Sequence, residues 1–242
     1  MGDTRPASIE GDQPEIFKQI LEQTKGFSPQ YVFITGDIIY GGTSDIVSLE
    51  GQFDKFIAAT GDLLPKVVVA PGNHDTPNIN AQKVFEDRIG ELYWSFDFLD
   101  VHFIVLDSEI VGQQGSIEGD QLDWLKSDLE ASDGYDLKFV FLHRPLYSFM
   151  HEDGEDDWVK QPFSSKKNRD ELAELFALYD VDAVFCGHEH LFNYNYQNGV
   201  RYFITGCAGA FPYVSEEEGG FFHYLVTEVD GEQVRYGLLR PN

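Results

Sequence analysis

The chain has 242 residues, of which 42% are hydrophobic and 14% aromatic. This length and composition fit one globular domain and exclude a chain that is disordered throughout. Its 17 lysines and arginines against 42 aspartates and glutamates give a net charge of −25, which opposes binding to nucleic acids and to anionic membranes.

Two cysteines without a Cys-x-x-Cys spacing exclude a disulfide framework, and we expect buried free thiols at Cys186 and Cys207. No apolar run reaches the ~20 residues needed to span a membrane. The opening "MGDTRPASIEGD" lacks the basic region and apolar core of a signal peptide. These features predict a cytoplasmic protein by default, and a secreted or periplasmic one if an N-terminal segment has been removed.

The first half of the chain alternates helices with strands. "PEIFKQILEQ" places apolar residues on one helical face and leads into "YVFITGD", a short strand ended by Gly36. A second helix is capped by Ser44 or Asp45, and "KVVVAPGNHD" is a strand whose valines fit burial on both faces. A helix near 79–88 follows, then the strands "YWSFDFL" and "VHFIVLD", joined around Asp100.

The second half repeats the alternation and closes with strands. "DQLDWLKSDL" and "RDELAELFALY" are helical, and "LKFVFLH" and "DAVFCGHEH" are strands. "VRYFITG", "FFHYLVTEVD" and "QVRYGLLRP" are three further strands, the last two joined at Asp230-Gly231. This order predicts a single α/β layered domain over 1–242 with mixed sheets. The charged segment 150–168 has no clear period and predicts a surface excursion, either a lid over a site or a solvated loop.

Four predicted strands end in side chains that can bind metals. Ligands gather at the carboxyl ends of strands in α/β sheets, so groups far apart in sequence can converge there. Three histidines with carboxylate and amide oxygens suit Zn, Mn or Fe. Singly, each motif has a simpler reading, such as a turn, a capped loop or a polar residue at a strand end. The residues at these strand ends are Asp37, then Asn73, His74 and Asp75, then His143, then His188 and His190.

The motifs "GDIIY", "GNHD", "FLHRP" and "GHEH" resemble, in this order, those of the calcineurin-like metallophosphoesterase superfamily. The segment "GHEHLFNYNYQNGVRYFITGCAGA" is also similar to the one that follows the last motif in purple-acid-phosphatase-like members. The resemblance implies a four-layer α-β-β-α sandwich with two mixed β-sheets. It also implies a dinuclear metal centre at which a metal-bound hydroxide attacks phosphate mono- or diesters.

The resemblance assigns a role to each motif residue. Asp37 would bridge two divalent or trivalent ions of Mn, Fe or Zn, and Asn73, His143 and His188 would complete one ion's ligands. His190 and Asp3 would bind the other ion. His74 would act as general acid or stabilise the developing charge, oriented by Asp75.

Two positions depart from the family pattern. The first motif reads Asp3-Thr4-Arg5 instead of Asp-x-His, and the strand that should precede it is absent. Since arginine does not ligate metals, the ion held by Asp3 and His190 would be weakly bound, differently chosen or missing. Arg5 would instead hold a substrate phosphate oxygen or form a structural ion pair. Tyr40 replaces a family aspartate that the resemblance places outside direct contact with the metals.

Two functions compete on this sequence. The first is a metal-dependent phosphoesterase acting on a small phosphate ester, with no nucleic-acid partner and no membrane span. The second is a non-catalytic metal-binding or interaction module on the same fold, suggested by the lost histidine of the first motif. His74 and Asp75 favour the enzyme, because a scaffold needs neither. The sequence leaves the physiological substrate and the oligomeric state open.

Overall fold

The computed structural model describes residues 1–150 and 163–242. Asp45 caps the second helix by accepting a hydrogen bond from the Ser48 amide at 2.8 Å, which confirms one of the two predicted caps. None of the helices in these ranges has the length and apolar character needed to cross a bilayer. The α-helices are α1 (Glu15–Phe27), α2 (Ile46–Thr60), α3 (Ile79–Arg88), α4 (Gly119–Ala131) and α5 (Lys166–Leu178).

The strands form a six-stranded mixed sheet and two strand pairs. The six-stranded sheet has the order β3-β4-β5-β6-β8-β7, β1 pairs with β2 in parallel, and β9 pairs with β10 in antiparallel fashion. The strands are β1 (Val32–Ile34), β2 (Val67–Val69), β3 (Trp94–Phe98), β4 (Val101–Val105), β5 (Leu137–Phe141), β6 (Ala183–Cys186), β7 (Phe192–Gln197), β8 (Val200–Thr205), β9 (Tyr224–Asp230) and β10 (Gln233–Leu239).

Three apolar clusters pack these helices and strands into layers. One packs α1, α2 and α3 against β1 and β2, and another packs α4 and α5 against the six-stranded sheet. Between them, side chains of β1, β2, β9 and β10 face the opposite side of the six-stranded sheet. Alternation along β5 explains this, since Phe139 and Phe141 join the inner cluster while Val140 joins the outer one. The predicted mixed α/β class is confirmed, and the clusters agree with the layer order that the resemblance implies.

The structure corrects two details of the sequence prediction. β7 was not predicted, because its sequence "FNYNYQ" is asparagine-rich and it is an edge strand with a largely exposed surface. The predicted excursion 150–168 extends too far, because Phe163 is buried and α5 begins at Lys166. Residues 151–162, on which the lid and loop alternatives rest, lie outside the described residues. The two cysteine thiols are buried and free, as predicted.

The first residues of the chain, where no strand was expected and none is formed, still pair with the main chain near β1. The Thr35 amide donates to the carbonyl of Met1 at 2.9 Å, and the Asp3 amide donates to the carbonyl of Gly36 at 3.0 Å. Residues 1–3 therefore run alongside the end of β1. This pairing carries Asp3 to the same edge of the molecule as Asp37.

His102 ties β3 and β4 to α4, away from that edge. Its ring contacts Asp97 at 2.6 Å and Asp128 at 3.0 Å. Burial lowers the pKa of His102, but the hydrogen bonds and negative charges of Asp128 and Asp97 outweigh burial and raise the pKa above its usual range.

Candidate metal centre

The predicted ligands follow the carboxyl ends of strands in the β1–β2 pair and in the six-stranded sheet. Asp37 follows β1 and Asn73 follows β2, while His143 follows β5 and His188 follows β6. The β1–β2 pair faces the six-stranded sheet, so these loops meet at one edge of the molecule. The convergence predicted from the strand ends is therefore present.

Three donor atoms form the first group. Asn73 Oδ1 lies 2.9 Å from His143 Nε2 and 2.9 Å from His188 Nδ1. The two ring nitrogens lie 3.1 Å apart. A fourth atom, Asp37 Oδ1, lies 3.5 Å from His143 Nε2.

The chemistry of this group fits a cation. His143 Nδ1 lies 2.7 Å from the carbonyl of Thr35, so it carries a proton, and when the ring is neutral a lone pair on Nε2 faces the group. Asn73 Oδ1 directs lone pairs to the same point. Lone pairs this close repel one another unless a proton or a metal ion lies between them.

Burial and the charges within the group shift the pKa values of its members in different directions. Burial raises the pKa of Asp37, but the charges of His143 and His74 outweigh it and hold the pKa well below its usual range. Burial lowers the pKa of His143, whereas the carboxylates of Asp37, Asp3 and Glu109 outweigh burial and raise it. Burial and the charge of His143 lower the pKa of His188 far below its usual range, which leaves it in the neutral form that binds metals.

Asp3 and His190 form a second group beside the first. His190 Nδ1 donates to the carbonyl of Phe211 at 2.7 Å, which turns Nε2 to within 3.3 Å of Asp3 Oδ1. Within the described ranges, this buried carboxylate oxygen has no hydrogen-bond partner. Ligand atoms of Asp3, Asp37 and His143 lie within 4.8 Å of one another, so the two groups adjoin.

Arg5 occupies the place of the missing first-motif histidine. Its Nε lies 3.6 Å from Asp37 Oδ2, and its side chain is 16% exposed. The guanidinium thus places a fixed positive charge next to the predicted bridging carboxylate. An ion pair with Asp37 is present, and the predicted contact with substrate is compatible with it.

Comparison with known proteins places this arrangement in a family. Residues 1–192 match the model of the calcineurin-like phosphoesterases. The chain belongs to the calcineurin-like phosphoesterase family. A relative from Fibrobacter succinogenes, named a probable cyclic nucleotide phosphodiesterase, is 28% identical over 162 residues, 65% of this chain and 56% of that protein. The serine/threonine-protein phosphatase CPPED1 of Rattus norvegicus is 26% identical over 74% of this chain and 60% of its own length.

A solved structure shares the fold of this chain. The purple acid phosphatase PPD1 from yellow lupin has a TM-score of 0.71 and covers 99% of this chain and 50% of its own, at 17% identity. The chain thus spans only about half to three fifths of the length of these proteins.

The general-acid candidate of this calcineurin-like phosphoesterase lies at the mouth of the site. The side chain of His74 is 29% exposed, and its Nε2 lies 3.9 Å from Asp37 Oδ2. Its Nδ1 lies 2.6 Å from the carbonyl of Tyr40. The ring is therefore oriented by a backbone carbonyl, whereas the sequence suggested that Asp75 orients it.

Asp75 instead organises the backbone of the site. Its buried carboxylate accepts hydrogen bonds from four backbone amides, those of Asp37 at 2.8 Å, Ile38 at 2.9 Å, Ile39 at 3.2 Å and Gly72 at 2.9 Å. Burial and the charge of Asp37 raise the pKa of Asp75, while the Gly72 hydrogen bond opposes the rise. Asp75 fastens the Asp37 loop to the loop that carries Asn73.

The backbone of this phosphoesterase is strained where the donors lie. Asp3, Asp37 and His188 have φ angles of 57°, 55° and 69°, in a region that non-glycine residues rarely adopt. Gly36 has a φ of 86°, and a Cβ there would lie 2.7 Å from His143 Nδ1. Gly187 is needed for close approach instead, since its Cβ would lie 2.5 Å from Asp3 Oδ2.

Two further side chains support the candidate site. Arg144 forms a two-pronged ion pair with Glu109, at 2.6 and 3.0 Å, behind His143. Tyr213 stacks on His190 with ring centroids 3.8 Å apart. Arg144 directly follows His143 in the "FLHRP" motif, which made it a candidate for contact with substrate, and the structure pairs it with Glu109. Tyr213 belongs to no strand-end motif, so spacing alone could not find it. A mainly apolar cavity of about 500 Å³ between β1 and β9 is lined by none of the candidate site residues.

Proposed function

We propose that this chain is a metal-dependent hydrolase of phosphate mono- or diesters with a dinuclear centre. The observation that carries the proposal is the convergence of His143 Nε2, His188 Nδ1 and Asn73 Oδ1 to within 3.1 Å of one another. Relatives named as a phosphatase and a phosphodiesterase support this reaction class.

The donors divide between two ions in this proposal. Asn73, His143 and His188 hold one ion, Asp3 and His190 hold the other, and Asp37 is shared. Bound ions of Mn, Fe or Zn would polarise the phosphoryl group and lower the pKa of the attacking water. They would also reverse the local field of a chain whose net charge is −25, so that a small anionic ester can bind.

His74 protonates the leaving group in this proposal. In its protonated form the ring donates from Nδ1 to the Tyr40 carbonyl and carries a second proton on Nε2, which it can deliver to the departing oxygen. Arg5 contributes donors for a phosphoryl oxygen, since a guanidinium matches the geometry of phosphate. Asp75 takes no part in proton transfer and maintains the positions of the two loops.

The test is a hydrolysis panel of p-nitrophenyl phosphate and bis(p-nitrophenyl) phosphate, before and after chelation and with Mn²⁺, Zn²⁺ or Fe added back. We expect turnover of at least one ester, its loss on chelation and its recovery with metal. A protein that binds metal tightly but hydrolyses neither ester would support the non-catalytic module instead. Turnover that survives complete removal of metal would contradict the proposal.

A further inference from the structure

The first three residues of the chain are hydrogen-bonded on both sides, as the end of a central strand is. On the side of β1, the Met1 nitrogen donates to the carbonyl of Phe33 at 3.2 Å, and the Thr35 amide donates to the carbonyl of Met1 at 2.9 Å. On the other side, the Ala208 amide donates to the carbonyl of Gly2 at 3.0 Å. The bonds to Met1 follow the pattern of parallel strands.

The cavity of about 500 Å³ lies next to Met1, between β1 and β9. Within the described residues, each of these two strands has a strand partner on one edge only, β2 and β10 respectively. α1 covers one face of the cavity and the six-stranded sheet covers the other. The cavity is therefore bounded by two strand edges and two covered faces. The side chains on the covered faces include Thr24 and Phe27 of α1 and Phe139, Phe141 and Phe185 of the six-stranded sheet.

Main-chain groups of β1 are directed toward this cavity. Ile34 bonds toward β2, since its carbonyl accepts from the Ala70 amide at 2.9 Å. Neighbouring residues of a strand bond to opposite sides, so the amide and the carbonyl of Phe33 both point away from β2. The carbonyl accepts from Met1, and the amide points into the cavity. An extended peptide in line with Met1 can accept this bond and add to β1 as a parallel strand.

The lining suits an apolar peptide with a basic amino end. Most lining residues are aromatic or aliphatic, and a strand with both faces covered needs apolar side chains on both. Among the described lining residues, the one charged side chain is Asp100. Tyr31, which precedes β1, packs on Phe98 with ring centroids 5.5 Å apart, so Asp100 lies at the end of the cavity where β1 begins. A strand parallel to β1 also begins there, and a lysine or arginine would face Asp100.

Two exposed apolar side chains border the cavity. Phe27 is 51% exposed and Leu99 is 79% exposed, and both contribute to the lining. Exposed apolar residues beside an open cavity are typical of a surface that contacts another molecule. The net charge of −25 disfavours an acidic partner and favours a basic one.

We propose that the cavity between β1 and β9 binds an extended apolar segment of a partner polypeptide, with a lysine or arginine at its amino end. The segment adds to β1 as a parallel strand. It has about five apolar residues, because residues 29–33 line the β1 side of the cavity and strands pair residue by residue. The inference is independent of the proposed hydrolysis, since none of the candidate site residues lines this cavity.

The experiment uses the synthetic peptide Lys-Lys-Val-Val-Ile-Val-Val-amide. Calorimetry measures its binding, and hydrogen exchange shows which amides it protects. The control peptide has proline in place of isoleucine, which removes a main-chain donor and disfavours strand pairing. On the protein, Thr227→Arg places a bulky cation in the cavity, because Thr227 lines it. Gln233→Arg is the matched control, since Gln233 is exposed on β10 and does not line the cavity.

We expect the peptide to bind the wild type and Gln233→Arg equally and to protect the Phe33 amide and amides of β9. The proline peptide should bind about tenfold more weakly, the size of one or two lost hydrogen bonds. Thr227→Arg should weaken binding at least as much. Equal binding of the two peptides, or protection confined to other parts of the chain, would overturn the inference. Binding of oleate without binding of the peptide would also overturn it and assign the cavity to a small apolar ligand.

Discussion

Replacing Asp75 by asparagine should loosen both loops of the candidate site at once. In the wild type, each carboxylate oxygen accepts two backbone N–H groups, from Ile38 and Ile39 on one oxygen and from Asp37 and Gly72 on the other. Asparagine turns one oxygen into an NH₂ group, which faces two buried donors that it cannot satisfy. The two lost bonds, at ~1.5 kcal/mol each for a charged acceptor, lower the free energy of unfolding by about 3 kcal/mol.

That loss corresponds to a fall in Tm of roughly 6–12 °C for a chain of this size. Urea and thermal unfolding measure the stability, and mass spectrometry measures the bound metal, which should also fall because Asp37 and Asn73 shift. Asp45→Asn is the matched control, since asparagine caps a helix about as well as aspartate. An Asp75→Asn protein within 1 kcal/mol of wild type, by the same urea measurement, would refute this account of the loops.

Three further changes test other parts of the account. His74→Ala should lower turnover by about 10²–10⁴-fold with unchanged metal content, and an unchanged rate would contradict its role as general acid. Gly36→Ala should cost more than ~1 kcal/mol, because of its left-handed φ and the clash of the new methyl group, and reduce metal binding. Gly51→Ala in α2, whose Cβ meets nothing within 4 Å, should instead stabilise by about 0.5–1 kcal/mol. The raised pKa of His102 means that its stabilising contact with Asp128 is complete below about pH 6.5 and is lost as pH rises through the folded-state pKa. The urea midpoint of His102→Asn should therefore vary less with pH than that of wild type, and equal pH profiles would show that this contact contributes nothing.

The sequence predicted which residues converge at the candidate site, because each of them follows a recognisable strand. Asp37, Asn73, His143 and His188 each follow an apolar run by a few residues, and parallel strands bring such positions together. The general fold follows from the same alternation of helices and strands. Edge strand β7 was missed because an exposed strand with asparagines has no apolar period to read.

The details within the site depended on tertiary contacts. Asp75 and His74 are adjacent in sequence, which suggested a carboxylate–imidazole pair, yet the Asp75 carboxylate points toward backbone amides of another loop. The left-handed φ of His188 and the stacking of Tyr213 on His190 likewise have no sequence signal. Asp3 lies in the motif that departs from the family pattern, and the pairing of residues 1–3 with the end of β1 brings it next to His190.

The most direct test is a metal titration of the chelated protein, with bound Mn²⁺ per chain and turnover of p-nitrophenyl phosphate and bis(p-nitrophenyl) phosphate measured in the same samples. We predict that turnover rises from zero in step with bound metal and that His143→Ala, which removes one ring nitrogen of the first group, binds less metal. Full turnover at zero bound metal, or tight metal binding that is unchanged in His143→Ala, would contradict a metal-dependent phosphoesterase built on these donors.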